Sequence, residues 1–503
     1  MHAVLLDFNG TMFFDTRFHM EAWSKIYHEL HPEDKSPLAS TKICGPCNDV
    51  ILKNMAPWLT PAERQQYSEK KEALYREACR NDPASLHLVA GAEELLQGLQ
   101  KRGIPFALAS ASIKANVDFY FDSFPIGHWL KQQDVVYDDG SYADKGEMHL
   151  EAARRLGVPF SECLVIEDSV TAIDAAGRKV TLASGGVLSY DRLVMSPGVD
   201  FMFDQVPGLE TEASRASVLH AWKAGAQTVA LRKQLEDMPD GGVYALAIPK
   251  APYRCPPGPY ERACLVADYL KTYRGAGSRV IVLDENATIQ AERETFTHAF
   301  GVTHAGVIRY EAGVTGIRID PVSRRVSYLD AVGNPQVIDA QAINPIPPHR
   351  ATGSSAGGWL AAAGLNNSAD GRWCVVDVLS YESTAQAGIH VIGDAASCGL
   401  PKAGHVANQE AKICADAIVR LLAGQQPDPA PVANSACYSP ITAGTASWLT
   451  AVYQYDGANR KMVLAANGGN TAGATAIESA SVSSGNFRQM TTWFNTLMGD
   501  SFG

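Results

Sequence analysis

The 503 residues, 46% hydrophobic and 19% charged, have an ordinary globular balance and the length of roughly three domains. A formal net charge of −11 leaves no basic footprint, so no nucleic acid partner is expected and an anionic membrane surface would repel the chain. No apolar run reaches the roughly eighteen residues of a membrane span, and the ten cysteines are too sparse for a disulfide scaffold. The opening "MHAVLLDFNGT" has neither a basic region nor a small-residue cleavage site, so the chain as written is expected in the cytoplasm. Any cysteine bridge would then be catalytic rather than structural.

In chain order, "AVLLDFNGT" reads as a buried strand that ends at Asp7 and turns at Gly10. From about Phe18 to Ala78 the apolar residues recur every three to four positions, as in "HMEAWSKIYHEL", which predicts an inserted helical cap. Inside it, "CGPC" from Cys44 to Cys47 has the spacing of a redox dithiol, but it lies between helices and reads as a cap turn. "EELLQGLQKRG" with "IPFALASAS", and "LEAARRLGV" with "CLVIEDS", are helix-to-strand units of a parallel sheet. The strand ends of such a sheet share one edge, so Asp7, Ser110, Glu167 and Asp168 should converge with Lys145 in one crevice. There two carboxylates could hold Mg²⁺ while Lys145 and Ser110 bind phosphate, an arrangement for phosphoryl transfer through an aspartyl-phosphate on Asp7.

The segments "DFNGT", "ALASAS", Lys145 and "VIEDS" resemble the four motifs of the haloacid-dehalogenase superfamily, and the insert resembles its C1-type cap. This resemblance implies Asp7 as nucleophile, Ser110 and Lys145 as phosphate binders, Mg²⁺ on Asp7, Glu167 and Asp168, and a small phosphorylated metabolite as substrate. Two departures stand out. Asn9 occupies the place of the family's second aspartate, and an amide cannot act as general acid or base, so reduced or narrowed phosphatase activity is expected. The stretch between Lys145 and the helix after it is also shorter than the family usually shows.

Beyond Ser169 the pattern changes. "RKVTLASGGVLSYDRLVMSPG" predicts a hairpin and a buried strand, and "HAWKAGAQTVALRKQLEDM" predicts an amphipathic helix. "GGVYALAIPK", "YERACLVADYLKTY" and "SRVIVLDEN" form a βαβ unit whose turn, "PKAPYRCPPGP", lacks the glycine fingerprint of a nicotinamide site. That turn instead sets Cys255 near a helix N-terminus, where the macrodipole and free N–H groups stabilise a thiolate. Glu261 in the first turn is either a helix-start carboxylate or a proton relay to the sulfur. Further on, "AGIHVIGDAA" is a buried strand ending at Gly393 and Asp394, followed by Lys402 and the long helical "GHVANQEAKICADAIVRLLAG". Flavoproteins of two dinucleotide-binding domains hold the ribityl chain and aim a helix at the flavin ring in this way. Cys264, Cys374, Cys398 and Cys414 read as core or loop thiols.

Ile173 to Gly503 resembles the flavin-binding subunit of flavocytochrome c sulfide dehydrogenase through "AIDAAGRKVTLASGGVLSYDRLVMSPG", "YRCPPGPYERA", "HVIGDAA", "NSACYS" and the terminal "FG". The resemblance implies a redox-active disulfide between Cys255 and Cys437 over FAD, attacked by sulfide, with electrons passing to a c-type cytochrome subunit and the periplasm as its compartment. On its own, Cys437 reads as a small buried residue near a loop. No G-x-G-x-x-G occurs anywhere in the sequence, so the ADP half of FAD has no recognisable seat.

The expected fold is therefore α/β: a truncated Rossmann-like haloacid-dehalogenase domain over residues 1–170 with a helical cap at about 16–85, then a partial two-dinucleotide-domain flavoprotein. The latter divides into an FAD-domain remnant (171–240), a βαβ domain (241–345), an FAD-binding return segment (346–425) and a C-terminal α+β, cytochrome-facing domain (426–503). Both halves claim the stretch Glu167 to Lys179, as closing helix in one and as hairpin in the other. Three functional readings follow: an FAD-dependent sulfide oxidoreductase, a Mg²⁺-dependent phosphohydrolase, and a chimeric chain in which neither activity is intact.

Overall fold

The computed structural model describes residues 2–34, 38, 48–142, 144–275, 277–465 and 476–502; Cys44, Cys47 and Gly503 lie outside them. The chain forms two compact units, residues 1–191 with 495–503, and residues 192–494. None of the described helices is long and apolar enough to cross a membrane.

The first unit opens with β1 (Ala3–Leu6), buried at every position. The helices α1 (Thr16–Leu30), α2 (Asn48–Met55) and α3 (Pro61–Asn81) follow. They pack through Trp23, Ile26, Ile51 and Leu52 into a core of their own, the expected helical insert. Thr60 starts α3 by a capping box with Glu63, with Pro61 at the first helical position. After α4 (Ala92–Lys101) come β2 (Phe106–Ile113), α5 (Lys114–Ser123), β3 (Val136–Asp138), α6 (Lys145–Leu156) and β4 (Cys163–Ile166). The strands form a parallel sheet in the order β3-β2-β1-β4. One edge of this sheet therefore carries the ends of β1, β2 and β4 together.

The contested stretch after β4 is a hairpin. β5 (Val170–Asp174), β6 (Lys179–Leu182) and β7 (Val187–Ser189) form an antiparallel meander. The Asp174 carboxylate accepts the Gly177 N–H at 2.8 Å, and a Cβ on Gly177 would stand 2.2 Å from that carboxylate, which closes the turn. Val180, Leu182 and Leu188 pack against Phe160 and Val165 beside β4, so the hairpin, not a closing helix, covers this side of the sheet.

The second unit runs through β8 (Leu193–Met195), β9 (Val199–Phe201), α7 (Glu212–Ser217), α8 (Ala226–Glu236), β10 (Val243–Ile248), α9 (Gly258–Tyr273), β11 (Arg279–Asp284), α10 (Arg293–His298) and β12 (Ile308–Ala312). The helix predicted from His220 starts only at Ala226. Gly225 breaks the backbone there, and the Gln227 side chain caps the Ala221 N–H at 3.0 Å, leaving Trp222 in an irregular segment. A second meander, β13 (Thr315–Asp320), β14 (Arg325–Leu329) and β15 (Pro335–Asp339), leads to β16 (Ala342–Pro345), which completes the parallel sheet β12-β11-β10-β16.

Next come β17 (His349–Ala351), α11 (Trp359–Ala362), β18 (Cys374–Asp377), β19 (Glu382–Ser383), β20 (Ile389–Val391) and β21 (Ala396–Ser397). The long α12 (Gly404–Leu422) precedes an antiparallel layer of β22 (Val432–Thr442), β23 (Thr445–Asp456), β24 (Lys461–Leu464) and β25 (Ile477–Glu478). The helix α13 (Ser484–Phe502) ends the chain. Within unit 2, Tyr244, Leu246, Tyr260, Leu270 and Val282 form one core between β10, β11 and α9. This is the α/β order of elements expected from the sequence.

Leu246, 0% exposed in the central strand β10, should therefore be intolerant of truncation, whereas Val322, 94% exposed in a turn, should not. Leu246→Ala is expected to cost about 2–5 kcal/mol. Val322→Ala should stay within about 0.5 kcal/mol, and urea unfolding followed by circular dichroism checks both.

Candidate functional site

The edge of the first sheet assembles a charged cluster. Asp7 follows β1 and donates its N–H to the Ile166 carbonyl at 3.1 Å, which fixes it beside Glu167 and Asp168 at the end of β4. Asp144 caps α6 by accepting the Glu147 N–H at 3.1 Å, so Lys145 enters the site from the first turn of that helix. Its Nζ lies 2.8 Å from Asp7 Oδ1 and 2.5 Å from Glu167 Oε1. Asp7 is 1% exposed and Lys145 7% exposed, so these charges face each other with little water between. Thr11 Oγ1 donates to Asp7 Oδ2 at 3.3 Å, and Ser169 to Glu167 at 3.0 Å. Gly10 has a φ of 79°, and a Cβ there would stand 2.1 Å from Asp168 Oδ2, so only glycine lets that carboxylate approach.

One lysine cannot balance three carboxylates. Burial pushes Asp7 up to about 6 against the pull of Lys145, and partial desolvation with the charge of Glu167 pushes Asp168, at the exposed rim, up to about 6. Oxygens of Asp7, Glu167 and Asp168 lie within 4.8 Å of one another, and Asp7 Oδ1 receives no directed hydrogen bond despite its ion pair. This donor set, all oxygen and short of positive charge, fits a hard divalent cation such as Mg²⁺.

Asn9 turns away from this cluster. Its Nδ2 donates to Asp15 Oδ2 at 2.5 Å and to Tyr120 OH at 2.8 Å, while its Oδ1 accepts from Ser110 at 3.0 Å and Ser112 at 2.8 Å. Ser110, expected to bind phosphate, thus has its hydroxyl engaged by Asn9 rather than directed to Asp7. Asp15 also accepts from Tyr75 at 2.7 Å and pairs with His19 at 3.2 Å; burial opposes its ionisation, but these partners prevail and hold it low. The residues Asp15, Tyr75 and Tyr120 carry no motif, and only the amide at position 9 hinted that a carboxylate neighbour was near.

A second cluster forms in the other unit. Cys255 lies three residues before α9 with a φ of 61°, a conformation that costs a non-glycine residue about 1–3 kcal/mol. Its N–H donates to the Lys402 carbonyl at 2.7 Å, tying the loop to the segment before α12. A Cβ on Gly258 would meet Cys255 Sγ and the Trp222 ring at 2.8 Å, so the glycine of "PPGP" makes room for the sulfur. A cleft of about 520 Å³ opens here, lined by Trp222, Arg254, Cys255, Glu261, Arg262 and Tyr269 among others.

The expected thiolate is not stabilised at this helix start. Burial, then the charges of Glu261 and Cys437, push Cys255 up to about 12, outweighing the Gly258 N–H. Cys437 on β22 is likewise pushed up to about 12 by burial and by Glu292 and Glu261. The two sulfurs, 182 positions apart in sequence, are thus free thiols in one electrostatic neighbourhood. Burial and Glu292 push Glu261 up to about 8 although Arg262 opposes them. Glu292, 2% exposed and with φ 48°, was not legible from any motif.

The strand end Gly393–Asp394 converges on the same region. Burial raises Asp394 while Arg254, next to Cys255, and Lys402 draw it down. Lys402 Nζ donates to the carbonyls of Asp394 and Ala396 at 2.6 and 2.8 Å and lies 3.8 Å from the Trp373 ring centre. Glu410 of α12, also missed in the sequence, accepts the Gly393 N–H at 2.5 Å and the Cys398 thiol at 3.1 Å. The first turn of α12 contains no acidic residue, so nothing there offsets the positive end of its macrodipole. Cys264, Cys374, Cys398 and Cys414 are buried free thiols.

Family models agree with this division. A haloacid dehalogenase-like hydrolase model matches residues 1–178, the central region of the sulfide dehydrogenase [flavocytochrome c] flavoprotein chain matches 228–347, and its flavin-binding region matches 429–502. A bifunctional riboflavin kinase/FMN phosphatase of Arabidopsis thaliana is 39% identical over 97 residues, covering 18% of this chain and 25% of that protein. The protein CbbY of Cupriavidus necator is 24% identical over 250 residues, 45% of this chain and 98% of its own. In fold, the sulfide:quinone oxidoreductase of Aquifex aeolicus is similar with a TM-score of 0.52 at 15% identity, covering 84% of this chain and 90% of that one. The chain spans about a quarter of the length of the first of these relatives.

Asn9 is held by four side chains, so it cannot be exchanged for the family's aspartate. Asn9→Asp removes two donors and brings a second carboxylate to within 2.5 Å of Asp15. It should lower stability by about 1–3 kcal/mol, read as an earlier urea midpoint, without raising phosphatase activity.

Proposed function

Because flavoprotein oxidoreductase-like segments and a haloacid-dehalogenase-like hydrolase segment share this chain, we propose first that the longer half is a flavin-linked oxidoreductase of the sulfide dehydrogenase type. Sulfide reduces a Cys255–Cys437 disulfide, and a c-type cytochrome receives the electrons. The observation that carries this reading is that Cys437, 182 positions away in sequence, and Glu261 both act electrostatically on Cys255, where a cleft lined by Glu261 opens. Gly393, Asp394, Lys402 and the start of α12 would hold the flavin end of FAD. Bound FAD supplies a two-electron sink for the reduced thiol pair. Arg262 fixes the irregular segment above the cleft, donating to the His220 and Ala221 carbonyls at 2.9 and 2.7 Å and stacking on Trp222. Glu261, half-buried in the cleft lining and pushed up to about 8, is placed to exchange a proton with the Cys255 sulfur. The pyrophosphate of FAD has no glycine-rich turn in this sequence, so the ring end carries more of the binding.

This reading expects purified protein mixed with FAD to retain a yellow chromophore through gel filtration, and sulfide to bleach it anaerobically. Cys255→Ser should keep the colour and lose the bleaching. Bleaching at an unchanged rate in that variant, or no retained flavin in the parent, would sink the assignment.

The assembled Asp7, Lys145 and Asp168 favour a second activity in the other half, Mg²⁺-dependent hydrolysis of a small phosphomonoester through Asp7. Lys145 neutralises Asp7 and the incoming phosphate, and Asp7 attacks phosphorus in line with the leaving oxygen. Asp7→Asn should reduce phosphate release from phosphomonoesters by at least about 10³-fold, and chelation of Mg²⁺ should abolish it. An unchanged rate in Asp7→Asn would refute the assignment.

A further inference from the structure

Glu292 has no part in the chemistry described so far, yet it sits where that chemistry needs a proton. On β22, Cys437 and Ser439 are two residues apart and share a face, and Ser447 of β23 lies directly across from Ser439. Glu292 reaches this face from the start of α10. Neither of its buried oxygens has a fully formed hydrogen bond, and Ser439 Oγ also lacks one. Burial pushes the Glu292 carboxyl up to about 7; Ser439 and Ser447 draw it down, and Glu478 raises it. Its charge in turn raises Cys437 and Glu261, and Cys264 one turn along α9 from Glu261. The titratable groups around it are thus Glu261 and Cys264 from α9, Cys437 from β22 and Glu478 from β25, with Arg262 acting on Glu261.

From there a line of hydroxyls runs outward. Ser447 Oγ is 3.2 Å from Thr295 Oγ1, which donates to Glu478 Oε2 at 2.8 Å, and the Thr295 N–H donates to the same oxygen at 3.1 Å. Ser447 is fully buried and Thr295 nearly so, whereas Glu478 is only partly buried. Ser447, which draws on the Glu292 carboxyl, is thereby linked through Thr295 to Glu478, a partly exposed side chain.

We propose that Glu292, Ser447, Thr295 and Glu478 form a proton path that serves the sulfur of Cys437. The proposal rests on the disulfide reading of Cys255 and Cys437. HS⁻ attacks Cys255 Sγ, which opens to the cleft; a new S–S bond forms, the Cys255–Cys437 bond breaks, and the products are a Cys255 persulfide and a Cys437 thiolate. The thiolate takes the proton of the Glu292 carboxyl, giving a Cys437 thiol and a Glu292 carboxylate. Ser447, Thr295 and Glu478 pass one proton inward from water to restore the acid. Sulfide is the reductant and the protein disulfide the oxidant, so no further reagent is needed for this half-reaction. No spacing in the sequence marks the path, since its members come from three separated elements, α10, β23 and β25.

The test uses the full chain, oxidised with diamide and opened with sulfide between about pH 6 and pH 9. Samples are quenched in acid, and freed thiols are labelled with N-ethylmaleimide after unfolding and located by peptide mass spectrometry. In the parent protein, release of Cys437 should slow as Glu292 loses its proton. Glu292→Gln, nearly the same in shape, should slow release by about 10²-fold and flatten the pH profile. Thr295→Val should slow release while keeping the pH midpoint, and Thr295→Ser should restore it. If Glu292→Gln forms the disulfide and releases Cys437 at the parental rate and pH profile, the path is wrong and the disulfide reading stands. If the oxidised parent yields no Cys255–Cys437 crosslinked peptide, the disulfide reading falls and the path with it.

Discussion

An excess of buried acid over nearby cations is the constraint around which both units are arranged. Taking a carboxylate out of water is costly unless a counter-charge or a proton comes with it. The first unit sets Asp7, Glu167 and Asp168 against Lys145 alone. In the second, Glu261 and Glu292 have Arg262 on one side, and Arg262 spends its hydrogen bonds on backbone carbonyls and Asn344. The two sites resolve the same imbalance differently. At the first, the carboxylates converge on one point and the outermost is exposed, which suits a metal ion from solvent. At the second, they are spread among thiols and hydroxyls under cover, which suits protons.

Backbone geometry holds both imbalances in place. Parallel strands deliver Asp7, Glu167 and Asp168 to one sheet edge, and Gly10 removes the one Cβ that would keep Asp168 away. In the second unit, Cys255 and Glu292 are two of the seven non-glycine residues with positive φ among the described residues; the first is one of the two thiols and the second acts on the other, Cys437. Strain at these two positions is tolerated because the surrounding packing over-determines them: Gly258 and Trp222 enclose the sulfur, and the β22–β23 serines enclose the acid.

Much of this was legible in the sequence, and the limits have physical reasons. Alternating helix and strand patterns gave the parallel sheets, and strand-end acids marked Asp7, Glu167 and Asp168, because a parallel sheet forces its ends together. Cys255 and Glu261 were visible beside a proline-glycine helix start. The thiolate expected there is opposed by burial first, then by Glu261 in the same helix start and by Cys437 from a strand distant in sequence, and a macrodipole argument takes in none of these. Ser110 was placed at the right strand, but nothing in its neighbours showed that Asn9 would take its hydroxyl. The stretch from Glu167 to Lys179 fitted two patterns equally, and the Asp174–Gly177 turn decided for the hairpin. Glu292 and Glu410 follow no spacing rule and became visible only through the contacts they make.

In the proposed Cys255–Cys437 cycle, protons would have to move with the electrons. Thiols pushed up to about 12 are neutral near pH 7, so in the proposed disulfide cycle the reduced pair would carry two protons along with its two electrons. Reoxidation must therefore release protons into a pocket whose carboxyls sit between about 7 and about 8, close enough to neutrality to accept and pass them. Acids of ordinary strength would be charged there and would repel the sulfur they serve, and bases would already be protonated. On that reading, raising two carboxyls by burial would let one pocket keep its thiols neutral and still exchange their protons with water.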